Sequence, residues 1–308
     1  MAYTAGDVIS HADYNDFAQK TDTVWGTGAG TDGYGQTNTI GTVTGGVTIT
    51  ATQWATLLAR ITSAANHQGT SITAITSPTA GDTISAYAAL ATNVAAIQGN
   101  NNAAASGSDA TATTTTTSAW TATATTSKTV TFASANQLRY FFNAGGMIRM
   151  GLSRTGGTAS DQNTSWTNLL AQAGTIVLTG SGNPGFTKTI AGVTYTGTTR
   201  IGGSGTPDTL AEGIGAYNLT GTNQTLYKQF ATTYTYTSNY TQIQASISGN
   251  VITFTVTLAD VSGPNVPGGL DSIDGTLTMT TTIRQPSTTY IASTWGSVTQ
   301  NAASWTLT

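Results

Sequence analysis

The chain has 308 residues, with 10 Lys and Arg against 13 Asp and Glu, a net charge of −3 and no cysteine. The basic residues are spread singly from Lys20 to Arg284, which leaves no basic stripe for a nucleic acid. The missing thiols exclude disulfides and thiolate metal sites, and no apolar run approaches the ~18 residues of a membrane span.

Charged residues make up only 7% of the chain, against roughly 25% in ordinary soluble proteins. Such a surface suits a protein that covers much of itself with other subunits. The opening "MAYTAGDVISHADYNDF" has neither a basic nor an apolar leader region, so it does not read as a signal peptide.

Three helices are predicted in the first hundred residues. Ser10 caps the first, with Asp13 at its third position and Ile9 placed to staple Tyr14. Tyr14, Phe17, Ala18, Thr21, Val24 and Trp25 then share one face. The second, capped by Thr50 and closed by Gly69, presents Trp54, Leu57, Leu58, Ile61, Ala64 and Ala65. The third, capped by Asp82, presents Ile84, Tyr87, Ala88, Ala91, Val94 and Ala95. Between the first two, "GTGAGTDGYGQTNTIGTVTGGVTIT" reads as a Gly-rich loop leading into a β-ribbon. Three short helices cannot build a large private core. Tyr14, Phe17, Trp25 and Trp54 are therefore expected to carry surplus apolar surface that docks on another protein.

An Ala/Thr/Ser-rich stretch follows, read as a linker over 101–118 between a helical docking module (1–100) and a second domain (119–308). The alternation of Trp120, Ala122, Ala124, Val130 and Phe132 predicts a strand interrupted by Lys128. A short helix capped by Ser134 and ended by "NAGG" comes next, then the strand "GMIRMGLSR". A second short helix follows, "SDQNTSWTNLLAQAG", with Trp166, Leu169, Leu170 and Ala173 inward. Strand patterns dominate thereafter: "TIVLTG", "FTKTIAGVTYTG", "GAYNLT", "TLYKQFA", a hairpin turning at Ser248-Gly249-Asn250, "GTLTMTTTIRQ" and "SWTLT". The fold class is α+β: a small N-terminal helical module with a β-ribbon, then a mainly β sandwich carrying two short helices.

Residues for catalysis are scarce. His11 and His67 read as helix-surface or capping residues, and Glu212, the single glutamate, as a solvated side chain. Gly28 to Gly33 matches the spacing G-x-G-x-x-G, but a helix precedes it and no strand does, so it reads as a turn-rich loop and no cofactor is expected. Asp260, Asp271 and Asp274 crowd one loop with the oxygen chemistry of a calcium site. Lacking regular ligand spacing, they read as turn formers, and no metal is expected. Phe141 and Phe142 read as core; Tyr234 and Tyr236, on one face of an expected strand, are candidates for contact with another chain.

Several phrases carry a likeness: "AGDVISHADYNDFAQKTDTVWG", "RYFFNAGGMIRMGLSRTGG" with "NTSWTNLLAQAGTI", and "IGAYNLT" with "YTQIQASISGNVITFTVTLAD". Over most of its length the chain resembles structural proteins of tailed bacteriophages, particularly those infecting cyanobacteria and other aquatic bacteria. The resemblance implies no catalytic residues. It implies a non-enzymatic place in the virion, in the tail, baseplate, neck or collar, or a short fibre, assembled in the host cytoplasm with other virion proteins and with copies of itself as a trimer or hexamer. With no heptads, no G-X-Y run and no repeated shaft unit, a compact subunit is expected rather than a long fibre. The alternative is a host-recognition module whose sandwich binds a cell-surface glycan.

Overall fold

The computed structural model describes residues 9–37, 40–79, 86–101, 106–181, 188–190, 192–263 and 272–308. Helix α1 spans His11–Trp25 and α2 spans Ala51–Gln68. Both begin as their sequences dictate. The Ser10 side chain accepts from the Asp13 amide, and Thr50 and Gln53 close a full capping box, satisfying amides that the first turn leaves without partners. Gly69 ends α2 in the left-handed conformation at φ 67°, which glycine adopts without strain.

Helix α3 spans Tyr87–Gly99 and packs on both others. Its buried residues are Leu90, Asn93, Val94 and Ile97, a face rotated from the expected one because alanine is apolar on every side and does not mark a stripe. The expected cap, Asp82, lies outside the described residues. The β-ribbon is not seen: the described residues between α1 and α2 contain no strand.

The remainder is two antiparallel sheets whose inner faces share one core. The first has the order β1 (Ser106–Thr116), β12 (Thr276–Pro286), β3 (Met147–Thr155), β4 (Thr175–Leu178) and β7 (Thr198–Ile201). The second runs β13 (Thr299–Gln300), β2 (Thr123–Thr131), β11 (Val251–Ala259), β10 (Tyr240–Ser248), β9 (Gln224–Phe230) and β8 (Thr209–Leu210), with β14 (Trp305–Leu307) also on β2. A separate hairpin joins β5 (Lys188–Ile190) to β6 (Val193–Tyr195). Its Tyr195 and Val193 pack with Met147, Val177 and Ile201 in a small second cluster. The stretch "GAYNLT", expected as a strand, is a 3-10 turn at Ala216–Asn218.

The expected linker is corrected most. Residues 106–116 form β1, paired with β12 from Ser106↔Pro286 to Thr116↔Leu277. Small hydroxyl side chains bury too little to order a free segment, but a partner strand supplies the hydrogen bonds. The outer side of β1 is partly covered: the Trp305 indole donates to the Thr114 carbonyl at 3.1 Å and Gln300 to the Ala110 carbonyl at 3.4 Å. The C-terminal segment thus shields an edge that would otherwise recruit further strands.

Strand β2 turns Ala124, Thr126, Lys128 and Val130 inward. Lys128 therefore does not interrupt the alternation. Its amine donates to the Asn301 carbonyl at 2.6 Å, and Thr126 donates to that of Ser304. Burial lowers the pKa of the Lys128 amine.

The two short helices are α4 (Ala135–Asn143), capped by Ser134, and α5 (Asp161–Ala173), capped by Ser160. Phe141 and Phe142 of α4 stack against each other and against Phe132 with centroids 5.1 to 6.0 Å apart. Each such buried ring is worth about 1.5–3 kcal/mol. One continuous hydrophobic cluster runs from Tyr14 and Trp54 through these rings to Phe254 and Met279.

Candidate functional site

The four aromatics expected to dock on another protein lie inside this one. Tyr14, Phe17, Trp25 and Trp54 are at most 4% exposed. Tyr14 meets Trp54 edge-on at 5.2 Å, Phe17 meets Tyr87 at 5.1 Å, and the Arg60 guanidinium lies 4.9 Å from the centre of the Trp25 ring. The expectation fails because the three helices bury these rings against one another, and the module as a whole then joins the sandwich in one continuous core.

The Gly-rich loop makes that junction. Arg139 of α4 donates to the carbonyls of Thr27 and Gly30 at 2.7 and 3.2 Å, and Asn143 donates to those of Asp32 and Gly33. A phosphate cradle needs the opposite polarity, amides pointing at an anion. Here the carbonyls face a cation of the same chain. Tyr34 is fully buried, accepting from Gln68 and donating to the Asn101 carbonyl; burial pushes its phenol well above the ordinary range. His67, expected on a helix surface, is wholly buried, with Nε2 3.0 Å from the Ala144 carbonyl and its ring edge-on to Tyr34. His11 is exposed, as is Glu212.

The two described aspartates, Asp260 and Asp274, are held by protein donors. Asp260 accepts from Gln162 at 2.5 Å and from Asn239. Asp274 accepts from the Thr158 amide and hydroxyl at 3.0 and 2.8 Å, from Asn163, and from Arg154 at 3.5 Å. The Thr158 hydroxyl and amide, then Asn163 and Arg154, hold the Asp274 carboxyl below its ordinary value. Asp271 lies outside the described residues. Among the described residues no three carboxylates or imidazoles gather as metal ligands.

Tyr234 and Tyr236 do not share a strand face. They sit in a turn before β10, where Tyr234 is 50% exposed at φ 58° and Tyr236 only 3% exposed. Tyr234 keeps its availability for contact; Tyr236 does not.

The larger candidate surface is the pair of outward sheet faces. On the first sheet Thr111, Thr113 and Thr115 lie opposite Thr282, Thr280 and Thr278, and the Thr111 and Thr282 hydroxyls are 3.0 Å apart. On the second, Thr125, Ser127 and Thr129 lie opposite Thr257, Thr255 and Thr253. The charges that strands place outward, among the described residues, are Asp109 with its partner Arg284, Arg149, and Lys228, which is held between the rings of Phe230 and Tyr240. The sequence showed the threonines but not their alignment, since alternation alone does not say which strands stand side by side. No known protein family, curated protein or solved structure matches the chain. No helix among the described residues is long and apolar enough to cross a membrane.

Proposed function

We propose that the chain is a non-enzymatic structural subunit of a tailed-phage virion, in the tail, baseplate, neck or a short fibre, acting by assembly with copies of itself and with other particle proteins. The observation that carries this reading is the hydroxyl-lined outward face of the second sheet, whose strands carry little charge. Such faces lose water against a neighbour at small electrostatic penalty, whereas each unpaired charge buried in an interface costs several kcal/mol. The phage likeness of the quoted phrases supplies the setting, and symmetric copies around a tail axis, three or six, follow from it.

Mass photometry of the purified full chain tests the assembly. A trimer or hexamer at sub-micromolar concentration is the expected result; a stable monomer up to tens of micromolar overturns the reading. Peptide mapping of purified particles tests the setting.

A further inference from the structure

On the outward face of the first sheet the β3–β4 ladder begins at the pair Gly151↔Thr175. There the sheet opens into a groove of about 510 Å³, walled by Thr280 and Thr282 of β12 and Thr175 of β4, with Leu170 and Ala171 of α5 contributing to its lining. Gly151 adds no side chain, which keeps the groove open. Arg149 stands one outward position before Gly151, directly opposite Thr282 on one side and Val177 on the other.

Arg149 is half-buried and has no hydrogen bond or ion pair among the described residues; its Nε is buried without an acceptor. Asp109 also lines the groove, but its carboxylate is already taken: it accepts from Arg284 through both oxygens, at 3.1 and 3.2 Å. The groove therefore carries one uncompensated guanidinium. A planar fork of donors matches a carboxylate best, and leaving a buried donor unsatisfied is costly.

We propose that this groove binds an acidic saccharide, with Arg149 holding the carboxylate of a uronic acid. The threonine hydroxyls face the sugar hydroxyls, and the exposed Ala171 methyl meets the ring. The volume is that of a small-ligand site. The inference stands apart from the virion reading and does not depend on it.

Titration calorimetry of the full chain with trigalacturonate at low salt is the test. Saturable binding that weakens with added salt and is absent for the neutral methyl ester is expected. Arg149→Gln removes no internal bond, so its melting temperature should match the wild type while affinity falls about tenfold or more. A second variant blocks the groove sterically: a Cβ at Gly151 meets only the Thr175 hydroxyl at 3.8 Å, so Gly151→Val should fold and lose binding. No binding to the wild-type chain, equal binding of the methyl ester, or unchanged affinity in a folded Arg149→Gln protein overturns the proposal. Equal displacement by inorganic sulfate, or preference for a tetraglutamate peptide, overturns the saccharide assignment.

Discussion

Asp274 shows how a loop carboxylate can look like a ligand and act as a clasp. It joins the start of β12 to the N-terminus of α5 through Thr158, Asn163 and Arg154. Its folded pKa lies below the ordinary value, chiefly through the Thr158 hydroxyl. A depressed carboxylate adds stability that is present above the ordinary aspartate range near 4 and is lost as pH falls through the folded value. Asp274→Asn should therefore lower stability at pH 7 by about 1–2 kcal/mol, a modest loss because a third of the side chain remains open to water. The difference from the wild type should shrink as the pH is lowered from 7 to 2. Denaturant unfolding at the two pH values measures it, and a deficit that persists in acid would assign the effect to packing.

Helix α4 and the Gly-rich loop form the contact on which the two halves depend. Gly35 sits at φ 72°, and a Cβ there would stand 2.5 Å from the Tyr140 ring. Left-handed strain costs about 1–2 kcal/mol and overpacking about 1–3 kcal/mol, so Gly35→Ala should destabilise by about 2–5 kcal/mol. Gly46 is the control: it also has positive φ, at 83°, but nothing lies within 4 Å of its added Cβ. Urea unfolding of both variants isolates the clash; equal losses would mean that α4 does not press on the loop.

Across the chain, the boundary at residue 118 cuts through a sheet. A fragment of residues 119–308 lacks β1, which pairs along nearly the whole of β12. It should expose a long strand edge and self-associate. A fragment of residues 106–308 keeps that pairing but loses the loop carbonyls that Arg139 and Asn143 bind; it should fold and melt below the full chain. Size-exclusion chromatography with circular dichroism compares them. If 119–308 is monodisperse and melts with 106–308, β1 is dispensable.

The starts of α1, α2 and α4 were legible because capping is local: Ser10 with Asp13, Thr50 with Gln53 and Ser134 with Gln137 each close within four residues. The turn between β10 and β11 was legible for the same reason, since Gly249 supplies the φ of 59° that the two-residue connection requires. Alternation likewise put Ala124 and Val130 of β2 on one face. The rest depended on partners far along the chain. The threonines of β1 become a strand only opposite residues about 170 positions later. Tyr14 and Trp54 become core only when α1 packs against α2, 39 positions along the chain at the Tyr14–Gln53 contact. Arg149 is revealed as unpaired only once strand register places Arg284, and not Arg149, beside Asp109. Hydrogen bonds spanning three or four residues are written in neighbouring letters, whereas register and burial come from a whole-chain compromise that no short stretch contains.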